Sequence, residues 1–381
     1  MKTGLKILHI TAAYKPAYIY GGPTMSVATL CEELANAGMA IEVFTTTANG
    51  TQELPVVPDT ALMVDGVQVT YFKRITKDHT HFSPALLKAL WTQVRTYDAI
   101  HVHAWWNLVS VLSAAIAVAR NVPVIVSPRG MLSPYTFNNK HIGAKSIIHR
   151  VFGKHLLQKS HIHTTSAHES RAVTQLVQPL GITAIPNFVK LAATTITAKP
   201  PRGQVLNLLF FSRIEEKKGL NILIDALRLL TVPFHLTIAG SGEDGYVKSL
   251  KEQAVGLENR ITWAGFYGKD KFALLQQHDV MVLASHDENF GNVVIESLSV
   301  GTAVLISEHV GLADYVRDNG FGWICQTNAV SVADAITAIS LDDKGVLEKT
   351  KDIAPAIIRH DFTGYALTQK YINLYRQIIN A

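Results

Sequence analysis

The sequence predicts an α/β protein with two doubly wound domains, and three observations lead to that prediction. Buried strands alternate with helices along both halves of the 381 residues, as in the βαβ units that build parallel sheets. The alternation stops at residues 191–204, which are rich in Thr, Ala and Pro, and then restarts. Hydrophobic residues make up 48% of the chain, which is enough for a core in each half. We therefore predict a first Rossmann-like domain over residues 1–190, a linker over 191–204 and a second Rossmann-like domain over 205–360, facing a central cleft.

The first half opens with a βαβ unit. Residues 6–12 predict a buried strand, residues 24–37 a helix, and residues 41–46 the next strand. Pro23 suits the first turn of that helix, where a backbone N–H has no helical partner, and Gly38 suits its end. Further strands are predicted at 67–72, 99–103, 123–127 and 162–165, with helices at 109–120 and 169–177.

The second half repeats the alternation after the linker. Strands are predicted at 206–211, 235–239, 261–264, 280–284 and 303–307, with helices at 220–230, 245–253, 271–277 and 292–300. Gly301 follows the last of these helices and suits the left-handed backbone at a helix end.

Charge, cysteine content and hydropathy narrow the class of protein. The net charge is +5 with a pI near 9.0, a modest excess that suits an anionic ligand and does not indicate a nucleic-acid partner. Cys31 and Cys325 fall in different predicted domains, so we expect no disulfide and a reducing cytoplasm. No apolar run reaches the length of a membrane span, and the first residues lack the layout of a signal peptide. We therefore expect a cytoplasmic protein.

The segment from Lys140 to Lys159 combines basic residues with apolar residues at helical spacing. Such a segment suits peripheral contact with anionic lipid at the inner face of a membrane. The charges spread over most of a helical wheel, so a solvated helix that covers the domain is the alternative.

Residues 286–311 carry the most informative pattern in the chain. Glu288 and Glu296 stand eight residues apart, one in a loop and one in an otherwise apolar helix. A buried carboxylate is costly unless it has a partner. The N–H groups near Gly291 and Asn292, where that helix begins, suit an anion such as a phosphate. Two acceptors for hydroxyl groups beside a phosphate site indicate a nucleotide-sugar.

The same stretch, ENFGNVVIE followed by SLSVGTAVL, resembles the signature of retaining glycosyltransferases of family 4, which have the GT-B fold. The resemblance implies that Glu296 holds the nucleotide ribose and that Glu288 holds the hydroxyl groups of the donor sugar. We assign Phe290, Gly291 and Asn292 to donor binding on the same basis. It also implies that the last helix, within residues 361–381, crosses back onto the first domain.

The segment from Phe211 to Gly219 resembles the Arg-x4-Lys-Gly pattern of that family. Arg213 follows a predicted strand, where α/β sheets bind ligands, and Lys218 lies at the start of a helix, where the helix dipole disfavours a cation. A bound diphosphate would remove that conflict, so we predict that Arg213 and Lys218 neutralise the leaving diphosphate. Pairing of Arg213 with Glu215 and Glu216 in a solvated turn is the alternative.

Candidate residues of the first domain lie at predicted strand ends. By resemblance, His103 is the polar residue that meets a sugar, and Gly21 and Gly22 let the backbone approach the donor phosphates. Arg129 stands where many family members carry His, and it would suit an anionic acceptor such as a lipid diphosphate sugar. A structural His103, a structural Arg129 and a plain flexible turn at Gly22 are the alternatives.

Two other patterns favour different chemistry and are weaker. Residues 240–245 match GxGxxG, but the next strand ends without an acidic residue to hold a ribose, and two acids in the motif would repel a pyrophosphate. Three His-x-His pairs place two imidazoles on one strand face, yet no metal motif accompanies them. The pairs are His79/His81, His101/His103 and His161/His163. We expect neither a dinucleotide cofactor nor a metal.

The resulting prediction is a retaining, metal-independent glycosyltransferase of hexosyltransferase type. It would move a sugar from a nucleotide-diphosphate-sugar to a glycan or lipid-linked acceptor in the synthesis of a cell-surface polysaccharide or glycolipid. A nucleotide-sugar epimerase of the same fold and a non-catalytic nucleotide-sugar-binding protein are the alternatives.

Overall fold

The computed structural model describes residues 4–133, 153–192, 203–267, 270–342 and 345–380. The chain forms two compact units, Met1–Phe188 together with Thr363–Ala381, and Val189–Phe362. Most of the predicted linker, residues 191–204, and most of the basic segment, residues 140–159, lie outside the described residues.

The first unit is built on an eight-stranded sheet. Its strands are β1 Lys6–Ile10, β2 Ala40–Thr46, β5 Ala61–Val64, β6 Val67–Phe72, β7 Ala99–His103, β8 Val124–Ser127, β9 His161–Thr164 and β10 Gly181–Ala184. The spatial order is β10-β9-β8-β7-β1-β2-β6-β5, and every pair is parallel except β5 with β6. Two short strands, β3 Ala48–Asn49 and β4 Gln52–Glu53, form a separate antiparallel ribbon.

Helices cover both faces of this sheet. They are α1 Gly22–Asn36, α2 Pro84–Gln93, α3 Leu108–Ala119, α4 Lys154–Gln158, α5 Ala167–Leu176 and α13 Gly364–Ile379. Ser83, Asn107 and Ser166 cap α2, α3 and α5 by accepting hydrogen bonds from backbone N–H groups in the first turn. Tyr371 and Tyr375 of α13 are buried in the core beside α1 and β1.

The second unit is built on a six-stranded, fully parallel sheet. Its strands are β11 Leu206–Phe211, β12 Phe234–Ala239, β13 Ile261–Gly265, β14 Val280–Leu283, β15 Ala303–Ser307 and β16 Gly322–Cys325, in the order β13-β12-β11-β14-β15-β16. Its helices are α6 Leu220–Arg228, α7 Asp244–Gln253, α8 Lys271–Gln277, α9 Asn292–Ser299, α10 Ala313–Asn319, α11 Ala329–Leu341 and α12 Val346–Asp361. The central strands β14 and β15 are fully buried, as expected for parallel strands covered by helices on both faces.

The helices are of ordinary length for a globular protein. The longest of them, α12 and α13, have 16 residues each. No helix within the described ranges combines the length and the apolar character needed to span a membrane.

The strand order of each sheet reverses beside its first strand. In the first unit the reversal falls between β1 and β7, and in the second between β11 and β14. Ligands of open α/β sheets bind at the carboxyl ends of the strands at such a point. The side chains that follow these four strands are therefore the candidates for function.

Candidate active site

The loop after β11 carries the two predicted diphosphate ligands. Arg213 has 69% of its side chain exposed, and its Nη1 lies 2.6 Å from Oε1 of Glu215. Lys218 ends a short 3-10 helix, Glu216–Lys218, and its Nζ donates a hydrogen bond to the Glu288 carboxylate. The pairing of Arg213 with Glu215 that the sequence raised as an alternative is present. An exposed pair of this kind contributes only about 0–1 kcal/mol, so it is no obstacle to a stronger anionic ligand.

The loops after β11 and β14 are bound to each other through backbone groups. Ser285 Oγ and the His286 N–H both donate to the Lys217 carbonyl, at 2.8 and 2.9 Å. Gly219 has a φ of +69°, and a Cβ there would lie 2.0 Å from the Ala284 carbonyl oxygen. Only glycine fits that position without moving a backbone. This close approach places Lys218 beside Glu288 where the strand order reverses.

Each carboxylate of the Glu288 region is paired with a lysine. Lys217 Nζ lies 2.9 Å from Asp287 Oδ2, Lys218 contacts Glu288, and Lys271 Nζ lies 2.6 Å from Glu296 Oε1. The Glu288 and Glu296 side chains are only 20% and 12% exposed. A carboxylate with so little exposure is costly without a partner, and lysines supply one here.

Sequence reasoning missed two of these lysines. It did not single out Lys217 or Lys271, and it saw no link between Lys218 and Glu288. The pairs join residues 25 and 70 positions apart, so the signal lies in the fold and not in local spacing.

The predicted donor loop turns sharply before α9. Gly291 has a φ of +88°, and a Cβ there would lie 3.2–3.4 Å from Val310, Val294 and Glu288. As the N-cap of α9, Gly291 has no side chain with which to cap the first turn, which Asn292 begins. A helix start of this kind suits an anion.

Phe290 differs from the other residues of this loop. It is 2% exposed, and its ring lies 6.2 Å from that of Phe362. Its side chain is therefore part of the core, and only its backbone remains for a role in donor binding.

The GxGxxG segment serves packing and helix capping. A Cβ on Gly240 or Gly242 would lie 1.9 or 2.1 Å from the carbonyl oxygen of Ser212 or Ile214. Glu243 caps α7, accepting hydrogen bonds from the N–H groups of Gly245 and Tyr246 at 3.0 Å each. A carboxylate thus already occupies the helix start where a dinucleotide would place its pyrophosphate.

A pocket of about 560 Å³ lies between this turn and the loop after β11. It is lined by Arg213, Ile214, Glu215, Glu216, Ser241, Gly242, Glu243 and Tyr246. Arg213 is the basic residue of this lining, so the pocket offers space next to one of the predicted diphosphate ligands.

In the first unit, His103 is buried where an accessible sugar ligand was expected. Its side chain is 1% exposed, and its Nε2 lies 2.9 Å from Nδ1 of His9. Arg129 is partly exposed, and its Nε and Nη2 each lie 3.4 Å from His103 Nδ1. The accessible group at this strand end is thus Arg129, and His103 lies beneath it.

Gly22 begins α1, and its surroundings do not require a glycine. It is exposed, its φ lies outside the left-handed region, and a Cβ would meet no atom within 4 Å. Gly21, with a φ of +64°, is the residue of the pair that the backbone requires.

The His-x-His pairs differ in burial and in hydrogen-bond partners. His101 and His103 are buried on one face of β7, and ring nitrogens of His9, His101 and His103 lie within 4.8 Å of one another. His163 is also buried, whereas His81 contacts Arg74 Nη1 at 3.2 Å.

Comparison with known proteins matches each half of the chain to a glycosyltransferase family. The family described as Glycosyl transferase 4-like domain matches residues 21–187, and the family described as Glycosyl transferases group 1 matches residues 195–371. Glycogen synthase of Mycobacterium tuberculosis is 27% identical over 388 residues, 94% of this chain and 91% of the relative. A putative colanic acid biosynthesis glycosyltransferase of Salmonella typhimurium, WcaL, is 29% identical over 188 residues, 46% of each chain.

A solved structure shares the fold along the whole chain. Anabaena HepE in complex with UDP and glucose superposes with a TM-score of 0.73 at 20% identity, covering 98% of this chain and all of that one. The predicted fold class, GT-B with two Rossmann-like domains, is confirmed. The protein is a glycosyltransferase. More narrowly, the chain belongs to the group 1 glycosyltransferases of family 4.

Proposed function

We propose that this enzyme is a retaining, metal-independent hexosyltransferase that uses a nucleotide-diphosphate-sugar donor. The observation that carries the proposal is the contact of Lys218 with Glu288 at the point where the strand order of the second sheet reverses. A cation for a diphosphate and a carboxylate for sugar hydroxyls stand side by side there. The likeness to a structure whose description includes UDP and glucose supports the same donor class.

The roles follow from the chemistry of each group. Glu296 accepts hydrogen bonds from the ribose hydroxyls and Glu288 from the hydroxyls of the donor sugar. Lys218 and Arg213 contact the diphosphate, which gains negative charge as the bond from the anomeric carbon to the phosphate oxygen breaks. Glu215 and Glu288 pair with Arg213 and Lys218 in this structure, so the diphosphate shares or displaces these carboxylates when it binds.

The acceptor hydroxyl attacks the anomeric carbon on the face that the diphosphate leaves. Its oxygen forms the new bond, and its proton passes to an oxygen of the departing phosphate. The donor's anomeric configuration is therefore kept. We propose a glycan or lipid-linked acceptor in the synthesis of a cell-surface polysaccharide or glycolipid, which the similarity to a colanic acid glycosyltransferase supports.

Matched variants test the diphosphate contacts. Arg213→Ala and Lys218→Ala should each lower turnover by about 10²-fold, the typical effect of losing one charge-stabilising group. Arg317→Ala is the control for Arg213, because Arg317 also makes an exposed pair, at 2.8 Å from Asp314. Normal turnover in Arg213→Ala and Lys218→Ala would contradict the proposal.

The donor and the stereochemistry are tested directly. A panel of nucleotide-sugars is screened by thermal shift, since a ligand of the folded state raises the melting temperature. Proton NMR of the new linkage, recorded in the presence of a chelator, should show the donor's configuration. An inverted anomer, or activity that returns only with a divalent ion, would refute the mechanism. A new sugar isomer formed from donor alone would identify an epimerase, and donor binding without turnover a binding protein.

We also propose that the enzyme works in the cytoplasm, peripherally at the inner face of the membrane. The support is the basic composition of residues 140–159. Flotation with anionic liposomes at low and high salt is the test, and no association at low salt would contradict this part of the proposal.

A further inference from the structure

Four buried histidines lie at the carboxyl ends of the first sheet. They are His9 on β1, His101 and His103 on β7, and His163 on β9, and none is more than 1% exposed. The strand register brings them together, because His9 lies opposite His101 and His103 opposite Ser127. Tyr371 and Tyr375 of α13 complete the cluster from above the sheet.

The hydrogen-bond partners fix the proton positions at one end of this cluster. His163 Nε2 lies 2.9 Å from the Ile185 carbonyl oxygen, which can only accept, so Nε2 carries the proton. His163 Nδ1 is then an acceptor, and Ser127 Oγ donates to it at 2.6 Å. The Ser127 oxygen in turn accepts from His101 Nε2 at 2.6 Å.

The proton positions of the other three histidines follow from their partners. His101 Nδ1 accepts from the Tyr375 hydroxyl at 2.8 Å, and the Tyr375 oxygen accepts from His9 Nε2 at 3.4 Å. His9 Nδ1 accepts from His103 Nε2 at 2.9 Å. That leaves His103 Nδ1 as an acceptor facing Arg129, whose Nε and Nη2 both lie 3.4 Å away.

The result is a directional chain of hydrogen bonds, which we call the histidine wire. It runs from Arg129 through His103, His9, Tyr375, His101, Ser127 and His163 to the Ile185 carbonyl. Each histidine is neutral and carries its proton on Nε2. Burial lowers the pKa of His9 and of His163 to about 3, and the pKa values of His101 and His103 fall well below their usual range for the same reason. The wire therefore holds the guanidinium by acceptor groups without cancelling its charge.

Arg129 has no carboxylate within contact distance in the described part of the chain. Its remaining hydrogen bond goes to Asn187 Oδ1 at 3.0 Å. Residues 99–168 contain neither Asp nor Glu, so the residues next to Arg129 in the chain cannot supply one. The first acid after this range, Glu169, accepts from the N–H groups of Gly130 and Thr165 at 2.6 and 2.8 Å.

The backbone of Arg129 adds a second sign of a functional position. Its φ is +52°, a left-handed conformation that costs a side-chain-bearing residue energy and that clusters at ligand sites. The Glu169 bond to Gly130 fixes the turn in which Arg129 sits.

A metal site is the competing interpretation of the three clustered histidines. Two ligand atoms on one tetrahedral zinc ion stand about 3.3 Å apart, given bond lengths near 2.0 Å. His9 Nδ1 and His103 Nε2 are closer, at 2.9 Å, which is a hydrogen-bond distance. In the tautomers assigned above, the acceptor nitrogen of each ring already receives a hydrogen bond from the preceding donor.

We propose that Arg129 is the anion-binding residue of the first unit, positioned by the histidine wire, and that it receives a phosphate group of the acceptor. The assignment of that phosphate to an acceptor rests on the proposed function, whereas the anion site itself does not. Arg129 donates through a planar fork that suits phosphate, and His103 acts through Arg129 as a positioning residue.

Calorimetry with inorganic pyrophosphate tests the anion site. Because Arg213 and Lys218 are both expected to bind diphosphate in the second unit, the titrations use protein that carries Arg213→Ala and Lys218→Ala as the background. Adding Arg129→Gln should weaken pyrophosphate binding about 10-fold or more, as expected for loss of a charge-assisted fork. Arg120→Gln is the control in the same unit, because Arg120 lies over the Trp91 ring at 5.0 Å and away from the wire. Unchanged affinity in the Arg129 variant would overturn the proposal.

A second titration separates an acceptor phosphate from free phosphate. An alkyl diphosphate should bind Arg129 more tightly than pyrophosphate does, and equal binding would overturn the assignment to an acceptor. UDP binding by the wild-type protein is measured separately. Its absence would count against the proposed donor while leaving the Arg129 result intact.

The wire itself is tested by ¹H–¹⁵N NMR of the histidine rings. All four should show the Nε2–H tautomer at pH 7, and one Nδ1–H tautomer among them would overturn the chain of donors. Stoichiometric zinc in the purified protein would overturn it as well. His103→Leu should weaken pyrophosphate binding, and His103→Asn, which keeps an acceptor near the Nδ1 position, should restore it. The NMR result decides the matter if His103→Leu does not fold.

Discussion

Lowering the pH from 7.5 to 5.5 should destabilise the first unit by about 5 kcal/mol, because the four wire histidines stay neutral when folded. Their pKa values lie below the ordinary value of 6.5, so the unfolded chain binds more protons as the pH falls below 6.5. Each histidine then costs RT ln(1 + 10^(6.5−pH)), which is about 0.1 kcal/mol at pH 7.5 and about 1.4 kcal/mol at pH 5.5. The stability is thus fully present above pH 6.5 and is lost progressively toward the folded pKa values. Four such losses are comparable to the whole stability of a domain, which is about 5–15 kcal/mol.

Urea unfolding is measured at several pH values. Hydrogen exchange of peptides from β1 and β7, at the same pH values, reports the stability of the first unit. The slope of the free energy of unfolding against pH reports how many more protons the unfolded state binds. His163→Gln should lower that slope by about one proton below pH 6. His79→Gln is the control, since His79 is exposed and outside the wire. If the first unit is equally stable at pH 7.5 and 5.5, the folded state binds as many protons as the unfolded state over this range. That result would refute the assignment of neutral rings.

Three further predictions concern the second unit and the first loop. Gly242→Ala should lower the free energy of unfolding by about 1–3 kcal/mol, because its Cβ would meet the Ile214 carbonyl oxygen at 2.1 Å, and urea denaturation beside wild type measures this. Gly22→Ala should leave the melting temperature unchanged, because the added Cβ meets no atom within 4 Å. Turnover should fall about 10-fold if the backbone at Gly22 approaches the donor. Turnover equal to that of the wild type would show that Gly22 belongs to a plain turn. Glu296→Gln should mainly raise KM for the donor, whereas Glu288→Gln should mainly lower kcat, because a misplaced sugar loses its reactive geometry. Steady-state kinetics measures both constants. A lower kcat in Glu296→Gln and a higher KM in Glu288→Gln would contradict the assignment.

Buried parallel strands were the part of the fold most open to prediction. Residues 303–307 and 271–277 were predicted as a strand and a helix, and the structure has them at the same bounds. Their apolar runs end at turn residues, so local pattern and burial agree. The edge strand β5 was missed because it is mostly exposed and pairs antiparallel with β6 alone, which leaves little hydrophobic signal. Helix α2 was missed although Ser83 and the following proline form a typical helix start.

In the candidate site, too, local patterns could be predicted from the sequence and long-range contacts could not. Glu288, Glu296, Arg213 and Lys218 were predicted from their spacing, but the contact between Lys218 and Glu288 depends on how two loops meet across neighbouring strands. His9 was not singled out, since a lone histidine in a buried strand carries no pattern. Its role is visible only when the register places it opposite His101. Long-range pairing of this kind is set by tertiary structure, which a single sequence does not display.

The path of the chain through the two units has a consequence for synthesis on the ribosome. The first unit consists of Met1–Phe188 and Thr363–Ala381, so the second unit is inserted within it. Tyr375, which joins His9 to His101, is therefore made only after the whole second unit. At about 5–20 residues per second, translation of that insertion takes on the order of ten seconds or more. During that interval His9 and His101 lack the hydroxyl that connects them, and the core of the first unit lacks the apolar side chains of α13.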